Sequence, residues 1–426
     1  MRFKKIALST FSAMTLIFMA SCSNDDGSIA PPDPDPENPD ETVTETDSKT
    51  YELGSVANPD ISGTAKFVTF SNDSTVIELE LDNTPDGGMH PAHIHFNTAA
   101  EGGDIALDLE SVDGDTGESS THVTELNDGT AITYQELLQY DGYINVHLSA
   151  DDLGTLVAQG DIGQNELIGT SKEYELDSKA VEDIEGTAIF YERKNGEALA
   201  VLMLENTPDG GMHPAHIHAN TAAEGGDILF TFNSVDGTTG MSKTNVAALD
   251  DETAFGYADV MEVDGYINVH LSADDLGTLV AQGDVGQNEL TGESEAYALG
   301  SVSDPAISGS AEFAERVNGE TLVTIELEGT TAGNSHPSHI HMGPVANAPG
   351  AIIVSLGEVD GETGTLAKNV TALNAEDGTP NAGEAIDYAA ITAIDGYINV
   401  HLSAADLATL IAQGNVGANA AEEDAE

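Results

Sequence analysis

The sequence predicts an all-β protein: three tandem Greek-key β-sandwich or barrel-like domains, each with a short helical turn. Three observations carry that prediction. The chain repeats itself, with Tyr51, Tyr174 and Tyr297 opening units 123 residues apart. Within each unit, short runs alternate apolar and polar residues between Asp-Gly turns, which is the period of strands. The composition agrees: 44 glycines, 5% aromatic residues and no tryptophan suit turn-rich β domains better than a helical bundle.

Taken in order, the chain opens with Met1-Arg-Phe-Lys-Lys, then a largely apolar run from Ile6 to Met19, then Ala20-Ser21 before Cys22. This is the layout of a secretory signal, expected over residues 1–21. The apolar run is too short for a comfortable transmembrane helix. The Ala20-Ser21-Cys22 junction resembles a bacterial lipobox, which implies that Cys22 carries lipid and anchors the protein to a membrane. The "SNDDG" that follows resembles the surface-export tract of Bacteroidetes lipoproteins, which implies an outer-membrane lipoprotein exposed on the cell surface. Cys22 is the sole cysteine, so no intramolecular disulfide and no thiolate metal site is expected in the body. Residues 22–50 are rich in Pro and Asp and poor in apolar side chains, so they read as an extended, self-repelling tether.

The repeat then sets three domains at 51–173, 174–296 and 297–417, with an acidic tail at 418–426. Units of this length are single domains rather than solenoid repeats. In the first, "ISGTAKFVTF" and "STVIELELD" read as paired strands, "DIALDL" as another, and "SVDGDTG" as a turn. "YQELLQYDGY" reads as a short helix stopped by Gly142, leading into the strand "YINVHLS". "TLVAQGDI" closes the unit, for about seven strands in all. Unit three is longer between its two histidine motifs, which places extra residues around "NAEDGTPNAGE".

The charge narrows the partners. The chain carries 75 acidic and 12 basic residues, a net charge of −63, which becomes −66 once Arg2, Lys4 and Lys5 leave with the signal. Such a polyanion repels phosphate backbones, which excludes nucleic acid and favours metal ions and basic protein surfaces. Otherwise it is a solvated surface suited to salty water. No feature of the sequence identifies a protein or glycan partner.

Twelve of the thirteen histidines occupy four equivalent positions in the three units. These are His90, His93, His95 and His147; His213, His216, His218 and His270; His336, His339, His341 and His401. Strand parity puts His93 and His95 on one face and Ile94 on the other. It likewise groups Tyr143, Asn145 and His147 against Ile144, Val146 and Leu148. If the two strands are neighbours, three imidazoles about 7 Å apart or less converge, a reach that suits one ion. The candidate ligands are therefore His93, His95 and His147, then His216, His218 and His270, then His339, His341 and His401. Pro91 interrupts pairing, so His90 is expected in a loop, and His90, His213 and His336 are candidate additional ligands. Tyr143, Asn145, Tyr266, Asn268, Tyr397 and Asn399, with Asp104 and Asp227, are candidate partners behind the ligands. Imidazoles without thiolates suit copper or zinc, one ion per domain. The competing reading is a hydrogen-bonded polar network without metal. Ser149, near His147, lacks any nucleophile elbow and reads as a turn cap.

The run from "ISGTAKF" through "HIH" to "YINVHLS" resembles the CHRD (chordin-type) domain, best in unit three with "HIHMGPVANAPGAIIVSL". The resemblance covers nearly all of 51–417 and implies an extracellular β module; in chordin itself the setting is protein-ligand binding. Units one and two depart from it with "FNTAAEGGDI" and "ANTAAEGGDI" after HIH. The HxH strand with a later strand histidine also resembles the copper ligands of Cu/Zn superoxide dismutase, which implies a redox metalloenzyme. The negative field opposes that reading, because it repels superoxide. Three readings stand at this point: metal binding or metal-stabilised adhesion, redox catalysis, and a purely structural adhesive module.

Overall fold

The computed structural model describes residues 42–57 and 60–420. The expected signal segment, Cys22, most of the expected tether and the end of the acidic tail lie outside the described residues. Unit one folds as β1 (Glu45–Ser55), β2 (Ser62–Phe70), β3 (Thr75–Asp82), β4 (Met89–Phe96), β5 (Ile105–Asp113) and β6 (Glu118–Val123). A one-turn helix α1 (Tyr134–Leu137) precedes β7 (Asp141–Ser149) and β8 (Asp152–Gly163). Units two and three repeat this order, over strands from Leu167 to Gly286 and from Leu290 to Gly417.

All pairings are antiparallel, in the order β5-β4-β7-β8-β1-β2-β3-β6. The β3–β4 and β6–β7 connections each skip two strands, which makes a Greek key. In unit two the ring closes, because Asp236 pairs with Met241 across the seam equivalent to β5–β6. In unit one the seam is bridged by the Glu110 N–H donating to Thr121 Oγ1 at 2.8 Å.

Alternation explains the strands. In β3, Ile77, Leu79 and Leu81 point inward and Glu80 points out. Phe67, Ile77, Ile94, Ile144 and Val146 are fully buried at the centre of unit one. Phe190, Ile217, Ile267 and Val269 do the same in unit two, and Phe313, Ile325, Ile340, Ile398 and Val400 in unit three.

Four expectations are corrected. Eight strands form where about seven were expected, because β1 and the Ser/Thr-rich β6 carry too few apolar residues to declare themselves. β1 starts at Glu45 and so takes in residues assigned to the tether. The starts expected at 51, 174 and 297 fall inside the first strands Glu45–Ser55, Leu167–Ser178 and Leu290–Ser301. Gly142 lies within β7, while the helix ends earlier; Thr133 and Glu136 form its capping box. In unit three the expected insertion is present. The Ala372–Ala385 bridge spans seven more residues than Glu125–Ala131, and the loop after HIH supplies an eighth.

Consecutive units are joined by a buried ion pair. Arg193 of unit two is fully buried and donates to Asp161 Oδ2 of β8 at 2.7 Å and to the Asn165 carbonyl at 2.6 Å. Arg316 of unit three repeats this with Asp284 at 2.7 Å. Lys49 pairs with Glu166, and Lys172 with Glu289 at 2.6 Å, alongside them.

Candidate metal centre

β4 and β7 are direct neighbours, with His93 opposite Asn145, Ile94 opposite Ile144 and His95 opposite Tyr143. This register puts both strands' polar side chains on one face. Ile94 faces the core, as parity predicts. β8 then bulges opposite His147: the β7–β8 register shifts on both sides of that residue, and the extra residues are on β8. Parity with Asn145, which lies opposite His93, puts the His147 ring on the face of the β4 pair. Ring nitrogens of His93, His95 and His147 fall within 4.8 Å of one another, as do those of His216, His218 and His270, and those of His339, His341 and His401. All nine candidate ligands are therefore gathered, three to each unit.

Backbone carbonyls set the tautomers. A carbonyl only accepts, so the ring nitrogen facing it carries the proton. His95 Nδ1–H donates to Gly103 O at 3.0 Å, and His147 Nδ1–H to Leu153 O at 2.7 Å. Both rings are left with an Nε2 lone pair aimed at the centre. His218 with Gly226 and His270 with Leu276 repeat this in unit two, at 3.0 and 2.7 Å. His341 with Gly350 and His401 with Leu407 repeat it in unit three, at 3.0 and 2.7 Å. The first histidine presents Nδ1: His93 Nδ1 lies 3.1 Å from His147 Nε2, and His216 Nδ1 3.1 Å from His270 Nε2. In unit three, His339 Nδ1 and His341 Nε2 are buried without a protein partner.

The tyrosines and asparagines support this face. Tyr143 stacks on His95 with ring centres 4.9 Å apart, and Tyr266 on His218 and Tyr397 on His341, each at 5.1 Å. Asn145 holds its amide 3.5 Å from His95 Nε2 and accepts from Gln159 at 2.8 Å. Asn268 and Asn399 accept likewise from Gln282 and Gln413.

Burial, with the neighbouring histidines adding to it, lowers the pKa of His93, His216 and His339, the last to about 4. Burial also lowers His147, His270 and His341. These six rings are neutral at pH 7, the state a metal requires.

The structure revises the surroundings. Asp104 is exposed and its carboxylate makes no contact with the triad; the acid at the site is Asp108, opposite His93 on β5 and 3.7 Å from its Nε2. In unit two the position opposite His216 is Thr231, which bonds Asp250 at 2.7 Å, and that carboxylate raises the His216 pKa against the effect of burial. In unit three the counterparts are Ser355 and Asn374, and no acid acts on His339. Leu148, placed on the core face by parity, is instead exposed near the end of β7, whereas its counterpart Leu271 packs partly against the core of unit two. Ser149 accepts from the Asp152 N–H in a two-residue hairpin, as a turn residue should.

His90 is not in a loop. β4 runs through Pro91, with a register shift against β5 between His90 and Ala92 that accommodates the proline. Only in unit two does the strand divide, at Pro214. His90, His213 and His336 lie apart from the three ligand clusters. The carbonyls of Gly103 and Leu153 and the carboxylate of Asp108 escape sequence reasoning, because the register that brings them to the histidines is not written in any local pattern. No family model matches the sequence, no curated protein matches it, and no solved structure matches the fold.

Proposed function

We propose that each domain holds one transition-metal ion, copper or zinc, on its three histidines, and that the protein binds and handles metal at the cell surface or uses it to stabilise an adhesive module. The single observation that carries this reading is the repeated tautomer control. In each unit two rings donate Nδ1–H to backbone carbonyls, which turns their Nε2 lone pairs toward a third imidazole. Two fixed Nε2 acceptors facing a third ring nitrogen form a donor set that one metal ion completes. Buried ring nitrogens without protein partners in units two and three fit the same reading. The donor set is imidazole alone, which suits Cu(II) or Zn(II). The metal would add a fixed positive charge to a chain that otherwise carries −63.

The placement is part of the proposal. The basic start, apolar run and Cys22 support a lipid-anchored outer-membrane protein, and the HIH and YINVHLS segments support a CHRD-type assignment. A redox role is the second reading, favoured by the HxH strand with a later strand histidine. Elemental analysis of tag-free protein tests the proposal, with three ions per chain expected. Less than about half an ion per domain, with melting unchanged by added copper or zinc, would overturn it. Dismutase and oxidase assays on the loaded protein test the redox reading.

A further inference from the structure

We propose that His90, His213 and His336 are positioning residues. Each grips the backbone of the third histidine of its triad and so aims that ring at the other two. The inference rests on the metal reading above.

Each of these rings is 1% exposed. His90 lies opposite Val112, a core residue, and shares its face of β4 with Ala92 and Ile94 rather than with His93 and His95. It therefore points to the far side of the strand from the ligands. Its Nδ1 lies 3.2 Å from the carbonyl of His147, and His213 and His336 stand at 3.2 Å from those of His270 and His401. His336 Nδ1 also lies 2.9 Å from the Leu402 carbonyl. The carbonyls accept, so Nδ1 carries the proton in all three units. Nε2 is then a buried acceptor, and it meets no protein partner. Burying such an atom unpaired carries a desolvation cost that a leucine would not incur. A histidine that recurs here at that cost is there for its Nδ1–H.

The carbonyl it grips lies opposite the bulge in β8. On both sides of His147 the pairing of β7 with β8 slips, so the backbone there lacks a regular ladder to hold it. His270 and His401 sit in the same double shift. In unit two the grip is two-sided: His270 N–H donates to the Pro214 carbonyl at 2.8 Å while its own carbonyl accepts from His213. The motif His-Pro-x-His-Ile-His thus divides in two. The His-Pro pair clasps the distant strand, and the His-Ile-His pair presents ligands beside it.

The test titrates Cu(II) into the full chain and follows affinity and the EPR spectrum. It compares wild type with the triple variants His90→Leu/His213→Leu/His336→Leu and His90→Asn/His213→Asn/His336→Asn. The leucine triple is expected to bind about 10–100-fold more weakly, with an altered spectrum. Asparagine carries an N–H at the same distance along the side chain as Nδ1, so the asparagine triple is expected to recover the wild-type spectrum. Wild-type affinity and spectrum in the leucine triple would overturn the proposal. Should that triple fail to fold, NMR of the wild-type imidazoles decides. The Nε2 signals of His90, His213 and His336 are expected to stay in place on adding Zn(II) while the triad nitrogens shift; coordination of those Nε2 atoms overturns the proposal. A wild-type protein that takes up neither ion defeats the metal reading itself, a result distinct from either variant outcome.

Discussion

His339 shows what burial does to a single candidate ligand. With no acid acting on it and two histidines beside it, its pKa falls from 6.5 to about 4. Between those values the unfolded chain binds a proton that the folded domain does not, so stability rises with pH across that window. The contribution is complete above 6.5 and is lost as pH falls toward 4. The metal-free protein should therefore melt progressively lower from pH 6.5 to 4, and His339→Asn should flatten that slope; an unchanged slope in the variant would contradict the assignment. Asp108 makes the complementary case. It stands behind His93 as an outer carboxylate, a partner whose loss typically weakens metal binding about 10–100-fold. Its side chain is 68% exposed, so solvent screening places Asp108→Asn near the lower end, about 10-fold, at the first site only. Zinc calorimetry measures this. The nine candidate ligands were legible because parity and repetition both mark them. Asp108 was not, because a strand's register is fixed by its partner and not by its own residues. His90 was misplaced because proline normally ends pairing, whereas here the shift between β4 and β5 absorbs it.

At the scale of elements, strands with alternating apolar residues announced themselves. β1 and β6 did not, since each buries only two residues. The β8 bulge opposite His147 was equally hidden, as was the exposure of Leu148. Close strand crossing leaves a clearer mark. A Cβ on Gly160 of β8 would fall 2.1 Å from the Glu52 carbonyl of β1, and Gly283 and Gly414 are as tight against Glu175 and Ala298, at 2.0 Å each. Gly160→Ala should therefore destabilise the first domain by about 1–3 kcal/mol in urea unfolding. Gly54→Ala, whose Cβ would rest 3.8 Å from the nearest atom, should change it by less than about 0.5 kcal/mol. Equal effects would show that this crossing does not constrain the barrel.

Across the whole molecule, the 123-residue period made three units plain, but nothing local revealed how they join. The chain has 12 basic residues, and Arg193, Lys194 and Arg316 all bond across a junction. Asp161 divides its oxygens: Oδ1 accepts from Ala99 N–H within unit one and Oδ2 from Arg193 of unit two. Asp284 does the same with Ala222 and Arg316. Removing one partner strands the other in a buried site. Arg193→Met should cost about 3–5 kcal/mol and enlarge the radius of gyration in X-ray scattering, while Arg193→Met/Asp161→Leu should restore much of the stability. An unchanged scattering profile and melting curve in the single variant would refute the junction as a structural lock.

If each of the three separate triads holds one ion, native mass spectrometry of the tag-free chain with added zinc counts them directly. Three ions are predicted on the wild type, two on His147→Ala and one on His147→Ala/His270→Ala. A wild type without bound ions, or a count that the substitutions leave unchanged, would contradict the metal reading.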